Sequence, residues 1–470
     1  MQSSRLVKRL IHDRSIVNAL ELEHRMKNPQ AESEFKHVYD ILGIGFGPAN
    51  LALAIALEEN LPEVTSHFLE AKEAPAWQDG MLLAGSNIQN HPVRDLVTLR
   101  NPRSRYSFIN YLFEENRLIE HLNLPLEFPL RKEYAQYFGW VAKHFSHQVN
   151  FGAEVVNVRR GTDGAPVYVA TSSDGRRFAG RALVVGPGRT PYVPHPFASA
   201  LGPTVFHLVD YLPRVEVLPQ PPKRVAVIGG SQSAVEIILD LAKRFPDAEV
   251  VGYVRSFGLR LKDTSPFSEE GYFPDFTKYY YGVSRDRKHT LDRYLRLTNY
   301  SSADADVLHE LYVLIYEQRL DGCQRVCVRG NRQVIDVSRD GDRIGLVVAE
   351  VNYGEIEKDD VDLVVIATGF RDLGPEENQE PYPAMLAGLS DHLTFDQEGY
   401  LAINEDYSLV TAPDDVPPIF LNGICESSHG IGDSGSFSLL SLRAAAIARG
   451  YLAWKGRRHK AAREMEDSTA

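Results

Sequence analysis

Two widely separated stretches of this chain share one grammar, and that repetition limits the fold more than any other feature. Each is a short apolar run, then a glycine-rich turn, then a run of helix-forming apolar residues. In the first, Val38 to Leu42 leads into Gly45-Phe-Gly47-Pro48-Ala-Asn50 and Leu51-Ala-Leu-Ala-Ile-Ala-Leu57. In the second, Arg224-Val-Ala-Val-Ile228 leads into Gly229-Gly230-Ser231-Gln232-Ser233-Ala234 and Val235-Glu-Ile-Ile-Leu239. An apolar run of this length with a tight turn and a helix behind it opens a doubly wound βαβ unit. Two such openings predict an α/β protein with two Rossmann-like dinucleotide-binding domains.

The turns carry specific chemistry. Gly45 and Gly47 let the backbone bend sharply and approach a pyrophosphate, whose charge then sits at the positive end of the following helix. Pro48 opens that helix, and Asn50 replaces the third glycine of the usual fingerprint. Glu70 ends the next apolar run, His67-Phe-Leu-Glu70, about 20 residues on, where a carboxylate binds ribose hydroxyls. These residues suit FAD. The second turn departs from the fingerprint at Ser231, and its second strand ends in Tyr253-Val-Arg255-Ser256 with no carboxylate. An arginine there suits a 2′-phosphate, which favours NADPH over NADH; the alternative is a surface Arg255. A third buried run, Asp362-Leu-Val-Val-Ile-Ala-Thr368-Gly-Phe370, ends in a small-residue turn with Thr368 as a further cofactor contact, and there the chain is expected to return to the first domain. Two nucleotide units imply hydride transfer from nicotinamide to flavin. No C-x-x-C motif joins Cys323, Cys327 and Cys425, so the electrons go to oxygen or to an acceptor partner rather than to a disulfide.

Composition excludes other classes. A formal net charge of −12 over 470 residues argues against nucleic acid as a partner. No apolar run reaches the roughly 18 to 20 residues that cross a bilayer, so no membrane span is expected. The cysteine usage fits a reducing cytoplasm. His91 and His207 have no second ligand at metal-binding spacing, so no metal is expected. Arg100, Arg103 and Arg105 read as ion pairs or a solvated face. The expected organisation is a polar extension over 1–36, helical from Ser15 to Met26, and a first FAD part over 37–218. After the Pro-rich stretch Pro219-Gln-Pro-Pro222 comes an NADPH domain over 219–350, then a second FAD part over 351–456 and a tail over 457–470. Tyr168 to Pro187 and Arg325 to Glu350 alternate like small antiparallel strands. Residues 263–317 break the strand rhythm with an aromatic-rich loop and helical periodicity, and predict a helical substrate insert whose aromatics serve mainly in packing.

The order of several motifs resembles one family. Gly45-Phe-Gly-Pro-Ala-Asn-Leu51, Arg94-Asp-Leu-Val-Thr-Leu-Arg-Asn-Pro102, Asp263-Thr-Ser-Pro-Phe267, Thr298-Asn-Tyr-Ser301, Asp362 to Phe370 and His429-Gly430 through Arg443 are similar to the ornithine/lysine N-hydroxylating flavin monooxygenases. The resemblance implies FAD at the first unit, NADPH at the second, and oxygen transfer from a flavin C4a-hydroperoxide to a primary amine. It further implies Gln89 near the flavin, Asn299 and Ser438 near the substrate, Ser231, Gln232 and Ser233 near the NADP phosphates, and Arg255 near the 2′-phosphate. Gln89, Asn299 and Ser438 are thereby the catalytic candidates. Arg94 stands where ornithine hydroxylases carry a carboxylate-binding lysine, and Glu269 stands where the family has asparagine. Either Arg94 and Glu269 pair in a pocket with altered preference, or the alignment slips by one residue onto Glu270. The loop before Phe437-Ser438 is one residue longer than the family's, at Ser434-Gly-Ser436. The implied reaction is hydroxylation of L-ornithine to N5-hydroxyornithine for hydroxamate siderophores or related products, by a homotetramer. L-Lysine or an aliphatic diamine is the alternative substrate, and an uncoupled NADPH oxidase or electron-transfer flavoprotein the alternative activity. A Baeyer–Villiger or drug-metabolising type is disfavoured, because no F-x-G-x-x-x-H linker lies between Val184 and His207.

Overall fold

The structure, a computed structural model, describes residues 35, 37–161, 167–341, 343–411 and 416–469, with side chains as far as Arg458. The helix expected between Ser15 and Met26 lies outside the described residues.

The first apolar run forms the strand Val38–Ile44, at the centre of a seven-stranded sheet. Parallel strands flank it: Ser66–Leu69 and then Val149–Asn150 on one side, Arg177–Val185 on the other. The far edge of Arg177–Val185 is shared. Its first half pairs antiparallel with Tyr168–Ser172, which in turn pairs with Val155–Arg160, and its second half pairs parallel with Ile419–Leu421. The helix Pro48–Asn60 buries every residue from Asn50 to Leu57, because the sheet covers one face and the C-terminal helix Leu440–Thr469 packs on another. An all-round apolar helix needs such double cover.

The second unit is a five-stranded parallel sheet in the order Val326–Arg329, Glu249–Tyr253, Arg224–Ile228, Leu363–Ile366, Val205–His207. A separate antiparallel meander, Arg332–Asp340, Arg343–Glu350 and Ile356–Val361, lies beside it. Three expectations are corrected here. Leu363–Ile366 does not return the chain to the first sheet; it takes register with both Arg224–Ile228 and Val205–His207. The cuts at 218/219 and 350/351 therefore miss the change of sheet, since Val205–His207 already belongs to the second sheet and Ile356–Val361 extends the meander. The chain re-enters the first sheet only at Ile419–Leu421. Val326–Arg329, expected to be antiparallel, runs parallel to Glu249–Tyr253. A Pro-rich linker marks a break in the chain but says nothing about which sheet a buried strand joins.

Residues 263–317 are helical as expected, in Pro266–Glu269, Pro274–Gly282, Arg285–Leu295 and most of Ala305–Leu320. Tyr272 and Tyr280 are buried there, whereas Phe267 is 86% exposed. A buried ion pair fixes the two units against each other. Arg131, at the start of the helix Arg131–His144, holds Glu236 of the helix Gln232–Arg244 through two bonds of 2.9 and 3.0 Å, and also donates to the Met81 carbonyl at 2.7 Å.

Candidate active site

The first turn leaves its backbone open at the start of the helix. Gly45 has φ +82°, and a β-carbon on it would lie 2.4 Å from the Gly186 carbonyl oxygen, so only glycine fits. A β-carbon on Gly47 would meet nothing within 4 Å, and no side chain caps the helix that begins at Pro48. An uncapped N-terminus with an open approach suits an anion. Glu70 braces this turn, accepting from Phe46 N at 2.6 Å and Lys72 N at 2.9 Å. Asn50 points away from the opening. Its amide donates to Ile44 and Gly45 carbonyls at 3.0 and 2.7 Å and accepts from Asn422, which accepts from Arg443, itself paired with Asp433 at 2.7 Å. All four are buried. Asn50 thus holds the turn's shape from behind: the position of the third glycine is occupied by a residue that ties the turn to the C-terminal helix.

At the second turn, Gly229 has φ +146° and a β-carbon would lie 2.3 Å from the Ala367 carbonyl. Ser231 is the N-cap of Gln232–Arg244 without a capping bond, and no acid lies in the first helical turn. This end is also open to an anion. Arg255 is exposed beyond the strand Glu249–Tyr253, on a segment pinned by Asn331 N to Ser256 O at 2.8 Å. Thr368 lies beyond Leu363–Ile366 with its hydroxyl on the Tyr192 carbonyl, so it borders the second unit. Gln232 faces the helical insert, since its side chain accepts from Asp304 N at 2.8 Å and donates to Glu236 at 3.0 Å.

Gln89 sits in the left-handed region at φ +51° and donates to the Asp304 carboxylate, while Lys262 reaches both, 3.5 Å from Gln89 and 3.8 Å from Asp304. Burial pushes the Asp304 carboxyl up, against the pull of Lys262. Sequence reasoning missed Asp304 and Lys262. Only the structure marks Asp304: it is the N-cap of Ala305–Leu320, yet it makes no capping bond and turns its carboxylate to Gln89 and Lys262.

The expected substrate residues gather nearby. Asp95, whose carboxylate accepts from Val97, Thr98 and Phe108 amides at 2.6 to 2.9 Å, shapes the loop that presents Arg94. Arg94 Nη1 stands 3.6 Å from Glu269 Oε2 and 3.2 Å from Ser438 Oγ, so Glu269 rather than Glu270 faces it. The two side chains are 26% and 28% exposed, open enough for a solute to reach. Ser436 donates to Ser438 at 2.8 Å, which shapes the longer loop. Asn299 adjoins the same loop, since a β-carbon on Gly435 would lie 2.8 Å from its Nδ2. That position would also lie 3.4 Å from Arg189 and 3.6 Å from Tyr300 Oη. Arg189 donates to Tyr300 Oη at 2.8 Å, and Tyr300 donates to Glu426 at 2.5 Å. Arg189 and Glu426 are also residues that sequence reasoning missed; Arg189 follows Gly186-Pro-Gly188 at the end of the strand Arg177–Val185, an edge where ligands bind in α/β sheets.

Elsewhere the expected bland roles are met. His207 bonds the Gly369 carbonyl at 2.9 Å, and Arg100 and Arg105 pair with Glu59 and Glu58 at 2.7 and 3.0 Å. No helix among the described residues is long and apolar enough to cross a membrane.

Two dinucleotide units with open helix ends, clamped together beside a polar cluster that a helical insert shares with the loops carrying Arg94 and Ser438, define the class of two-nucleotide flavin oxidoreductases. Comparison with known proteins narrows this. Residues 37–372 match the family profile "L-lysine 6-monooxygenase/L-ornithine 5-monooxygenase". The L-ornithine N(5)-monooxygenase of Burkholderia cepacia is 38% identical over 409 residues, 84% of this chain and 90% of that protein. A putrescine N-hydroxylase of Shewanella oneidensis is 31% identical, covering 86% and 79%. The ornithine N-hydroxylase of Kutzneria sp. 744, solved with reduced FAD, NADP+ and L-ornithine, superposes with a TM-score of 0.83 at 32% identity, covering 89% of this chain and all of that one. The chain belongs to the lysine/ornithine N-monooxygenase family, and is a flavin-dependent monooxygenase.

Proposed function

We propose that this protein uses FAD, NADPH and O₂ to hydroxylate a primary side-chain amine, with L-ornithine as the leading substrate and N5-hydroxyornithine for hydroxamate siderophores as the product. The balance is one amine, one O₂, one NADPH and one proton giving one hydroxylamine, one NADP⁺ and one water. FAD, held at Gly45, Gly47, Pro48 and Glu70 and bordered by Gln89, supplies the oxygen-activating chemistry when bound. Gly229, Ser231, Gln232, Ser233 and Thr368 would take the NADPH phosphates and their surroundings, with Arg255 on the 2′-phosphate.

The observation that carries the reading is the Arg94–Glu269 pair beside Ser438. One cation and one anion side by side complement a zwitterionic amino-acid head. A guanidinium takes a carboxylate and a carboxylate takes an ammonium, so the substrate exchanges one internal ion pair for two of its own. Anchored there, the far amine extends toward Asn299, whose amide can accept its N–H. Burial around that end disfavours the charged ammonium, and only the neutral amine has a lone pair to receive oxygen. Lysine, one methylene longer, is the nearest competitor. A diamine is the second reading, favoured by the putrescine-hydroxylating relative; it would engage Glu269 alone.

The reading also makes this a cytoplasmic homotetramer with the FAD unit built from both ends of the chain, which light scattering on the purified protein tests for assembly. The function itself is tested by offering ornithine, lysine, putrescine and cadaverine and measuring hydroxylamine per NADPH consumed. A ratio near one with ornithine is expected. Hydrogen peroxide alone with every amine would establish an oxidase instead.

A further inference from the structure

Beside the pocket lies a cluster whose charges do not cancel. Arg189 stands within ion-pair distance of two carboxylates, Asp372 at 3.4 Å and Glu426 at 3.8 Å. With both acids ionised the cluster carries one surplus negative charge. Asp372 is a third exposed, whereas Arg189 and Glu426 are each 14% exposed, so the surplus falls on the less solvated Glu426. Burial pushes the Glu426 carboxyl up, and the neighbouring Asp372 charge adds to this against Arg189 and Tyr300. Of the other charged groups packed around it, Asp292 adds to that rise, while Arg285 and Lys288 donate to the Ser427 and Ser428 carbonyls at 2.6 and 3.0 Å, Arg285 also pairing with Asp396 at 2.9 Å; Tyr280 bonds Asp292 at 2.8 Å, Tyr272 bonds the Thr298 carbonyl at 3.1 Å, and Arg296 lies 6.0 Å from the Tyr300 ring.

Tyr300 joins this cluster to the pocket. Its hydroxyl gives its proton to Glu426 and accepts from Arg189, which leaves one oxygen lone pair for a donor arriving beside Gly435 and Asn299. The Ser434 hydroxyl in the same loop is buried without a partner.

We infer that Glu426 is the proton acceptor that neutralises the substrate's ammonium, with Tyr300 as the relay and Arg189 as the residue that holds both in line. This rests on the amine-hydroxylation reading above. An N–H of the ammonium passes its proton to Tyr300 Oη as the Tyr300 proton moves to Glu426 Oε2, so R–NH₃⁺ and a carboxylate become R–NH₂ and a carboxylic acid. Charge is conserved, and no oxidant is involved. A poorly hydrated ammonium–carboxylate pair favours collapse to the neutral pair, because desolvation penalises both ions. The surplus charge thus first attracts the cation and then discharges it where oxygen transfer needs a lone pair.

The experiment compares the pH dependence of ornithine hydroxylation in the wild type with Glu426→Gln, Glu426→Asp and Tyr300→Phe, all scored as flavin-loaded protein. The expected result is a deficit of tenfold or more in kcat/KM near pH 7 for the Gln and Phe variants. That deficit should shrink steadily toward pH 9.5 as solution supplies the free amine, while the Asp variant keeps the wild-type profile. A loss by the same factor at every pH, or unaltered profiles in both the Gln and Phe variants, overturns the inference while leaving amine hydroxylation intact. Absence of hydroxylamine from the wild type with every amine overturns the proposed function instead.

Discussion

Gly45 and Gly229 occupy conformations that an L side chain adopts only under strain, and in both a methyl group would strike a carbonyl oxygen, at 2.4 and 2.3 Å. Gly45→Ala is therefore expected to destabilise the protein by about 2 kcal/mol or more. It should also yield protein lacking the visible absorbance of bound flavin, whereas Gly47→Ala, with open space at its α-carbon, should fold normally and lose flavin affinity alone. Absorbance after desalting separates the two. Glu269 is a case of a different kind. Its pair with Arg94 is partly solvated and worth less than about 1 kcal/mol, so Glu269→Gln should leave thermal stability nearly unchanged. If it meets the α-ammonium, the substitution raises the KM for ornithine about tenfold and leaves that for α-N-acetylornithine, which lacks this charge, where it was. Equal changes for both amines would refute the assignment. Arg94 and Glu269 were legible in the sequence as departures from a pattern. That they face each other was not, because Arg94 rides on a loop shaped by Asp95 and Glu269 on a short helix of the insert.

Among elements, the strand–turn–helix openings were readable because their information is local: apolar run, glycine turn and helix follow one another in sequence. The contact between the units was not. Arg131 and Glu236 sit on helices far apart in the chain, and nothing near either residue announces a partner. Removing one member leaves the other buried without compensation. Arg131→Met is expected to cost about 3 kcal/mol or more in denaturant unfolding, and to slow flavin reduction by NADPH because it loosens the register between the two turns. Stopped-flow reduction that is unchanged alongside reduced stability would show that the pair serves folding only. The strand Leu363–Ile366 makes the same point, since its burial was evident and its sheet was not. Parallel pairing is set by register with Arg224–Ile228 and Val205–His207, which composition does not encode.

For the whole molecule, three buried imidazoles dictate the response to acid. Burial holds His67, His207 and His429 below their ordinary value of 6.5. The unfolded chain binds protons there that the folded chain refuses, so stability is greatest above that value and is lost as pH falls through it. A melting temperature that drops between pH 7 and 5.5 is expected, with a shallower slope in His207→Asn; a flat profile would contradict the burial of these rings. The sequence by itself determined the class of fold, the two anion-binding turns and the family's reaction, because strand, turn and helix propensity and phosphate recognition are written in neighbouring residues. Only the tertiary structure decided which sheet each late strand joins, that Asn50 works from behind its turn, and that Arg189, Tyr300 and Glu426 meet with one charge too many. Those outcomes depend on long-range packing and on desolvation, which exist only once distant segments have excluded water between them.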